Sequence, residues 1–350
     1  MKNIFLLFSG FWGSFLYAQN TVTLVQTDWS GGPDQEYFSE NPTKFSNAFQ
    51  LDFTSNPGEL NALYTEKSNV YQVVEFKGKI LTSTVTGMMA FDTLTKKWDF
   101  LSPTLSLGHH AILRDTLYTM DGANVYAYDG TNNDYGMGNN GCMLHSSYVS
   151  AGLTSFYSLS AVGDDLYIGG RTNYSGKVLK FNKLSRIWEL MGDSFSNGIM
   201  CLEEYDDRLW AGTHWYGVIS YWTGLLWADR FGTQLMTITD FQIHNGRLYA
   251  SGYYNTVTQG AIFEFDGSNW KEIYHGYGVN NMASLKGYLY FSVRNDGPTT
   301  SIYRYNDETS EEIYILQGES YVDNMTVIDE KLYYGGVGSD KFASYNTLYR

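Results

Sequence analysis

Four short segments of the chain combine aromatic rings with cationic or amide side chains, a mixture that suits recognition of sugars or protein surfaces. They are Arg171-Thr172-Asn173-Tyr174, Thr213-His214-Trp215-Tyr216, Gly252-Tyr253-Tyr254-Asn255 and Val293-Arg294-Asn295-Asp296. Such rings stack on sugar faces or fill pockets of a partner, while Asn, Arg and His beside them form hydrogen bonds. An exposed His-Trp-Tyr run is costly to leave in water unless it binds or packs. The predicted ligand-binding set is Arg171, Tyr174, His214, Trp215, Tyr216, Tyr253, Tyr254 and Arg294.

Residues for catalysis, metal binding or nucleotide binding form no recognisable pattern. The sequence has no dinucleotide-binding glycine motif, no Walker loop and no nucleophile elbow. His109 and His110 are adjacent, and neighbours in a strand point to opposite faces, which disfavours a shared metal. The oxygen-rich segment 129–134 lacks EF-hand spacing and is typical of a turn. Glycosidases built on propellers place their carboxylates on different blades, so no Asp/Glu pair is selected by its spacing. We therefore expect no catalytic residue, no metal and no cofactor.

The elements that would position these residues are repeats of one pattern. Each copy has a turn, a short aromatic strand, a loop, a second strand that ends in Tyr/Phe-Asp/Asn, and often a Trp. The first strand is anchored in successive copies by Ile80, Leu117, Leu166, Leu209, Leu248, Leu289 and Leu332. The intervals between anchors are 37, 49, 43, 39, 41 and 43 residues, the period of four-stranded propeller blades. Such a repeat cannot bury its apolar face alone and must stack on its neighbours.

We predict a seven-bladed, all-β propeller of four-stranded antiparallel blades, with strands a to d running outward from a central axis. In blade 3, strand a ends at Val162, strand b is 166–170, strand c is 178–182 and Trp188 begins strand d. The aromatic segments then fall in loops between strands b and c, which share one face of a propeller. Alternatively, Trp215 and Tyr216 cover the junction between blades 4 and 5.

Blade 3 resembles a kelch-like repeat, through Gly169-Gly170, Phe181-Asn182 and Trp188, and blade 7 keeps Gly335-Gly336. Blade 4 is more similar to the repeats of sensor-type propellers. The resemblance covers roughly residues 60 to 350 and implies architecture rather than function, because propellers host unrelated activities. Copper oxidases of the galactose oxidase type also use a kelch-like propeller, but nothing in the spacing of His110, Cys142 and the tyrosines selects that site.

The two ends of the chain are predicted to meet in the last blade. That blade has strands a (322–328), b and c (342–346), but its fourth strand is missing before Arg350. The segment Glu59 to Tyr64 belongs to no blade of its own. Placed as the fourth strand of blade 7, it would close the ring and remove open sheet edges. The alternative is a truncated chain whose fourth strand lay beyond Arg350.

The first residues have the pattern of an export signal. Lys2 is followed by an apolar run from Ile4 to Tyr17 and a cleavage site at Ala18. The alternative for 1–18 is an N-terminal strand or buried helix. Residues 19–58 are predicted to be an extended arm, or else disordered, and 59–350 the propeller. The run Thr27-Asp28-Trp29-Ser30-Gly31-Gly32 resembles the mature N-terminus of exported proteins of gliding-type bacteria.

The charge and cysteine content of the chain restrict the classes of binding partner and of cross-link that we expect. The net charge is −14, and this field repels phosphate backbones and anionic lipid, so we expect neither nucleic-acid binding nor membrane insertion. Two cysteines are no disulfide framework. We place Cys142 in an insertion between blades and Cys201 on an inner strand. The two cysteines could form a disulfide with each other or remain free thiols.

We therefore expect an exported, monomeric, non-enzymatic binding or surface-interaction module for a glycan or a protein, in the periplasm, on the cell surface or outside the cell. The alternative is a secreted polysaccharide-active hydrolase or lyase, or a copper enzyme of the galactose oxidase type. Convergent carboxylates or a His/Tyr cluster with shifted pKa in the central pocket would favour an enzyme.

Overall fold

The structure is a computed structural model. It describes residues 47–52, 59–62, 72–84, 87–92, 94–95, 97–102, 108–121, 124–130, 142–147, 152–173, 175–255, 259–295, 299–317, 319–338 and 347–349. The predicted signal segment, the arm residues before Asn47, Tyr174 and segment 342–346 lie outside these ranges. Every regular element of the described residues is a β-strand, and none is a helix long and apolar enough to cross a membrane.

Six four-stranded antiparallel sheets follow one another along the chain. Blade 1 comprises β3 (Val73–Phe76), β4 (Lys79–Thr84), β5 (Gly87–Asp92) and β6 (Lys97–Ser102). Blade 2 comprises β7 (His110–Leu113), β8 (Thr116–Asp121), β9 (Asn124–Tyr128) and β10 (Cys142–Ser147). Blade 3 comprises β11 (Ser155–Val162), β12 (Asp165–Arg171), β13 (Gly176–Asn182) and β14 (Ile187–Leu190).

The next three blades repeat this arrangement. Blade 4 comprises β15 (Ile199–Tyr205), β16 (Arg208–Thr213), β17 (Val218–Trp222) and β18 (Trp227–Gly232). Blade 5 comprises β19 (Thr237–His244), β20 (Arg247–Tyr253), β21 (Gly260–Phe265) and β22 (Trp270–Gly276). Blade 6 comprises β23 (Gly278–Leu285), β24 (Tyr288–Arg294), β25 (Thr299–Tyr305) and β26 (Ser310–Gln317).

A further sheet of five strands, the closing sheet, joins both ends of the described chain. It comprises β1 (Asn47–Asp52), β2 (Glu59–Ala62), β27 (Glu319–Ile328), β28 (Lys331–Gly338) and β29 (Thr347–Tyr349), in the order β27-β28-β29-β2-β1. β1 also pairs with β29 in parallel. The predicted count of seven four-stranded blades is therefore wrong: the described residues form six, because this sheet has a fifth strand and a parallel pairing. Cys142 is likewise corrected, since it begins the outer strand of blade 2 rather than lying in an insertion.

The recurring turn of each repeat is the hairpin between strands a and b. Asn245 and Gly246 have φ of 47° and 75°, and Asp206 and Asp207 have φ of 53° and 55°. Positive φ at both central residues is the two-residue turn whose twist matches that of the strands. The aspartate pair adopts this backbone without a glycine, so local strain is built into blade 4.

The recurring Tyr/Phe-Asp/Asn ending caps the turn between strands c and d. The side-chain Oδ1 of Asp266 accepts hydrogen bonds from the backbone N–H of Ser268 and Asn269, over 2.8 and 2.7 Å. Asp92, Asn182 and Asn306 make the same pair of bonds in blades 1, 3 and 6. This Asx turn explains why a short acceptor side chain ends or follows strand c in these four blades.

The tryptophan of strand d lies directly opposite the aromatic residue of strand c. Phe265 pairs in register with Trp270, and their ring centroids lie 5.1 Å apart. Phe181 and Trp188 repeat this pair in blade 3. Each pair closes its hairpin on the side that packs in the protein core.

The hydrophobic core lies between sheets rather than within them. One cluster joins Tyr167 and Val178 of blade 3 to Ile199, Leu209 and Trp227 of blade 4. Strand b carries glycine where the next inner strand approaches: a Cβ at Gly169 would lie 2.6 Å from Ile199. At the ends of the series, β27 contacts β23 on one side and β3 on the other. The sheets therefore surround a common axis.

Candidate functional site

The space around this axis is a cavity of about 510 Å³. Residues in or beside the inner strand of all seven sheets line it, together with the ends of β20 and β24. This volume falls in the range of small-ligand sites. The lining is mostly polar, with carboxyl, amide, imidazole and phenol groups, so hydrogen bonding rather than apolar burial must dominate what binds there.

One position of the repeat supplies a ring of lining residues. In each inner strand, or directly before it, the residue eight positions before the anchor residue lines the cavity. In chain order these residues, the axial ring, are Gln72, His109, Ser158, Cys201, Asp240, Asn281 and Asn324. The inner strands carry a β-bulge at or beside this position in blades 3 to 6 and in the closing sheet. A bulge inserts an extra residue and redirects side chains, which brings Tyr157, Met200 and Thr239 into the lining as well.

Several members of the axial ring bond to the inner strand of the next sheet. Asp240 Oδ2 accepts a hydrogen bond from the backbone N–H of Met282, over 2.8 Å. Asn281 Nδ2 donates to the carbonyl of Val322, over 2.6 Å. The Sγ of Cys201, a buried free thiol, lies 3.9 Å from the carbonyl of Ile238. The axial ring therefore links sheet to sheet around the axis as well as lining the cavity.

Two acidic groups lie close together in this lining. Burial raises the pKa of Glu203 to about 7, and the nearby charge of Asp240 raises it further. Burial also raises the pKa of Asp240 to about 7, against the lowering effect of hydrogen bonds from the backbone N–H groups of Met282 and Phe241. Near pH 7 both carboxyls are therefore partly protonated, and the protonation state of one affects that of the other.

Glu203 differs from the residues at the equivalent position of the other inner strands. It lies two residues after the axial-ring position of β15, where the other inner strands carry uncharged residues. These are Val74, Ala111, Ser160, Gln242, Ala283 and Thr326. Glu203 is therefore an ionisable group at a position where the other inner strands carry residues without an ionisable side chain.

The two histidines occupy the blade 2 side of the cavity. Burial lowers the pKa of both His109 and His110 to about 4, and the positive charge of His110 lowers that of His109 further. Both rings are therefore neutral at pH 7. The Nδ1 atom of His110 is buried and has no hydrogen-bond partner among the described residues. His109 precedes β7 and is not held by strand alternation, so both histidines reach the cavity, contrary to the opposite faces expected from the sequence.

The described residues include no group of three or more His, Cys, Asp or Glu side chains that could hold a metal ion. Acid–base chemistry at Glu203 and Asp240 would require one carboxyl to donate and the other to accept a proton. Asp240 already holds β23 to β19 through Met282, which ties one of its oxygens to the scaffold.

The exposed aromatic pair of blade 4 lies beside the cavity, on the tip of the loop between β16 and β17. The side chains of Trp215 and Tyr216 are 50 % and 72 % exposed. Their φ angles are 54° and 79°, in the left-handed region that disfavours residues other than glycine. Gly217 follows with φ of 46°. Three consecutive left-handed residues present both rings to solvent.

Hydrogen bonds fix this unusual backbone. Asn197 Nδ2 donates to the carbonyl of Trp215, over 3.2 Å, and Thr233 Oγ1 donates to that of Gly217, over 2.8 Å. The backbone N–H of His214 donates to the carbonyl of Gly198, over 2.8 Å. His214 Nδ1 lies 2.7 Å from Thr237 Oγ1 of the next inner strand. The loop is therefore anchored to blades 4 and 5 while its rings remain exposed.

Arg171 connects this loop to the cavity. Gly198 packs so closely that a Cβ there would lie 3.1 Å from the ring of Tyr157 and 3.2 Å from the Cβ of Arg171. Burial lowers the pKa of His214, and the charge of Arg171 lowers it further, so the two side chains lie near each other. Arg171, His214 and Trp215 thus form one patch that reaches the cavity at Tyr157.

The remaining predicted residues divide between two places. Tyr253 and Arg294 line the cavity. Tyr254 turns to the outer strand of its blade, where its ring lies 5.5 Å from that of His275 and its hydroxyl lies 3.3 Å from Glu272. Tyr174 lies outside the described residues. Binding by these residues stays a prediction.

Sequence reasoning missed the axial ring, Glu203 and the histidines as one site. The signal was present: a polar residue recurs at a constant spacing of eight before the anchor. It was hidden because a bulge breaks the alternation by which inward-facing strand residues are recognised.

No protein-family model matches the chain, and no curated protein matches it in sequence. Solved structures do match its fold. The WD40 repeats of RRP9 superpose with a TM-score of 0.57 at 9% identity, over 86% of this chain and 96% of that one. The Dos1 propeller superposes with a TM-score of 0.53 at 13% identity, over 83% of this chain and 78% of that one.

A third similar structure is the extracellular domain of the putative hybrid two-component system BT4673 of B. thetaiotaomicron. It superposes with a TM-score of 0.57 at 10% identity, over 87% of this chain and 40% of that one. Sequence identities this low support a shared fold and no shared function. Together with the sheets around one axis, they show that this chain is a β-propeller repeat protein.

Proposed function

We propose that this protein is an exported, non-enzymatic binding module whose ligand rests on the Trp215 and Tyr216 rings. One observation carries the proposal: both exposed rings sit on left-handed backbone that hydrogen bonds hold from two blades. Backbone strain of about 1–3 kcal/mol per residue persists only where surrounding structure enforces it, and it concentrates at binding sites. The second candidate is a polysaccharide-active enzyme, which the two carboxyls that meet in the axial cavity, Glu203 and Asp240, favour by the criterion drawn from the sequence.

A glycan suits this surface better than a protein. The patch is small, and its two rings project at a loop tip beside Arg171, His214 and Asn197, which supply hydrogen bonds to hydroxyl groups. Aromatic rings with adjacent polar groups are well suited to sugar rings. A stable protein interface needs roughly 800 Å² on each partner, which two rings do not supply.

A glycan array with the wild type and the Trp215→Ala and Tyr216→Ala variants tests this function. We expect each substitution to weaken binding at least about tenfold, because aromatic anchors commonly contribute about 2 kcal/mol. Leu225→Ala is the matched control, since Leu225 is 81% exposed on the outer turn of the same blade. Undiminished glycan binding by both aromatic variants, or capture of a protein but no glycan, would overturn the proposal.

Export is part of the same proposal. It is supported by the Lys2 charge, the apolar run from Ile4 to Tyr17 and the small residue Ala18. N-terminal sequencing of the protein recovered from outside the cytoplasm should begin at Gln19. A recovered chain that still begins at Met1 would contradict the signal.

We also propose that the N-terminal strand β2 closes the ring by completing the closing sheet. The support is the place of β2 beside β29, through Ala62 and Tyr349, and the position of β27 between β23 and β3. A closed ring would leave no open sheet edge at the junction of the two ends. We further propose a monomer, because β2 pairs with the edge of β29 that would otherwise be open to another copy.

A further inference from the structure

The face of the propeller on which the loops between strands b and c open, the loop face, has a charge unlike that of the whole chain. The residue five positions after the anchor ends or directly follows strand b on this face. In blades 3 to 6 these residues are Arg171, His214, Tyr253 and Arg294. This position therefore contributes two guanidinium groups and no carboxylate.

The connections that open on the loop face in blades 3 to 5 contain little acid. The b–c loops 172–175, 214–217 and 254–259 and the connections 148–154 and 233–236 have no Asp or Glu. Connection 191–198 has Asp193, next to Gly192, where a Cβ would lie 2.5 Å from the ring of Trp222 at the opposite end of blade 4. The net charge of −14 thus lies elsewhere, and the local field beside Trp215 does not repel an anion.

Arg171 has no counter-ion among the described residues. Arginines elsewhere in the chain are paired: Arg114 with Asp164, Arg247 with Glu264 and Arg304 with Glu311. Arg171 is exposed and forms no ion pair with a described carboxylate. Its charge lowers the pKa of His214, and no acidic group opposes that effect. The guanidinium group can therefore pair with an anion of a ligand.

Arg171 and Trp215 flank the short segment Asn197–Gly198. A Cβ at Gly198 would lie 3.2 Å from the Cβ and 3.6 Å from the Cδ of Arg171, so the arginine stem packs over this glycine. Asn197 donates to the carbonyl of Trp215, and the Trp215 ring lies 5.3 Å from that of His214. A flat ring and a planar cationic fork, which matches a carboxylate, are thereby fixed side by side.

The cavity beneath the loop face holds charges of both signs at different depths. Arg294 pairs in register with Gly278, eleven residues before its anchor and at the start of the inner strand. Asp240 and Glu203 lie deeper, eight and six residues before their anchors, and their pKa of about 7 leaves them partly ionised at neutral pH. An anionic chain is therefore favoured at the rim and disfavoured inside the cavity.

We propose that the ligand of the loop face is an acidic glycan built of hexuronic acids, with a sugar ring on Trp215 and its carboxylate paired with Arg171. In a hexuronic acid the carboxylate is attached to the sugar ring itself, so one sugar makes both contacts. The inference rests on the proposed glycan-binding function and adds the charge of the glycan and the role of Arg171.

An array of galacturonate, glucuronate and mannuronate oligosaccharides, each beside its methyl ester, tests the charge. Esterification removes the charge and keeps the ring and its hydroxyl groups. We expect the best-bound acid to bind at least about tenfold more tightly than its ester, equivalent to about 1.4 kcal/mol. Added salt should weaken binding of the acid more than that of the ester, because it screens an exposed ion pair.

Substitution of Arg171 locates the carboxylate. Arg171→Gln should weaken binding of the acid about tenfold or more and leave binding of the ester unchanged, so that the preference disappears. Arg186→Gln is the matched control, because it removes the same charge from an exposed arginine on the outer turn of the same blade.

The outcomes separate this inference from the proposed function. Equal binding of acids and esters, full binding of the acid by Arg171→Gln, or tighter binding of sulfated oligosaccharides than of uronates would overturn the inference. The proposed function would still hold in each case if Trp215→Ala lost the glycan. Binding to no glycan on the array would overturn both.

Discussion

The side chain of Asn324 bonds to the backbone of Val73: its Oδ1 accepts a hydrogen bond from that N–H group over 3.2 Å. The two residues lie 251 positions apart, in β27 of the closing sheet and β3 of blade 1. This contact continues the pattern by which Asp240 and Asn281 bond to the sheet that follows them. It is the member of that series that joins the last sheet to the first.

Replacing Asn324 should therefore weaken the junction of the two ends. We expect Asn324→Ala to lower the free energy of unfolding by about 1–2 kcal/mol, because the partly buried Val73 N–H loses its acceptor. Urea unfolding measures this change. Asn280→Ala is the control, since Asn280 lines the same cavity from a bulge. Equal effects of the two substitutions would mean that the bond to Val73 has no special weight.

Packing between blades depends on a glycine in strand b. A Cβ at Gly212 would lie 2.6 Å from the Cγ2 of Ile238 in the next inner strand. Gly212→Ala should therefore destabilise the protein by about 1–3 kcal/mol through overpacking, as a lowered thermal melting temperature would show. Gly232→Ala provides the comparison, because no atom lies within 4 Å of a Cβ at that position. Equal melting temperatures of the two variants would contradict this prediction, because they would show that the neighbouring inner strand moves aside for the added methyl group at no cost.

Stability should fall with rising pH through the two axial acids. The pKa of Glu203 and of Asp240 is raised to about 7 in the folded protein, while the unfolded chain has ordinary acid values. The folded state therefore keeps protons that the unfolded state has released, and the stability present below the unfolded pKa is lost as pH rises through the folded pKa. We expect a contribution of about 1–3 kcal/mol between pH 5 and pH 8.

The histidines oppose this trend. The pKa of His109 and His110 is lowered to about 4, so their contribution is complete above their ordinary pKa and is lost as pH falls through acid values. Unfolding measured from pH 5 to pH 8 in the double variant Glu203→Gln, Asp240→Asn separates the two effects. The double variant should lose the decline towards pH 8. An unchanged pH profile would show that neither carboxyl resists ionisation.

Closure by the N-terminal strand predicts the effect of a deletion. Removing residues 59–64 takes away β2, which pairs with β1 along its length and with β29 at Ala62. The exposed strand edge should promote self-association, measured by sedimentation as species larger than the monomer. Deleting 19–28, in the predicted arm, controls for shortening of the chain. A deletion of 59–64 that stays monomeric and melts like the full chain would refute closure.

The sequence predicts the repeat well because its signals are local. The Asp266 cap, the Phe265–Trp270 pair and the hairpin at Asn245–Gly246 each lie within a few residues of one another. The closing sheet was predicted less well, since a strand supplied from the other end of the chain carries no local mark of its partner. The fifth strand, β1, was not expected for the same reason.

The candidate site was predicted only in the loops between strands b and c and at the strand ends beside them. Trp215 and Tyr216 were recognised as an aromatic run, but their left-handed backbone depends on Asn197 and Thr233, which lie in other segments. Glu203 and Asp240 were missed because the significance of each depends on the other. Their nearness is a property of the circle of strands, and neither residue is unusual in its own segment.

The constant spacing between the axial ring and the anchor residues separates two kinds of variation. Intervals between repeats range from 37 to 49 residues, yet the distance from ring residue to anchor stays fixed at eight. Length changes are therefore absorbed at the periphery and leave the interior register intact. Ligand preference in such a scaffold could be rewritten by exchanging single side chains at one recurrent position, without rebuilding any blade.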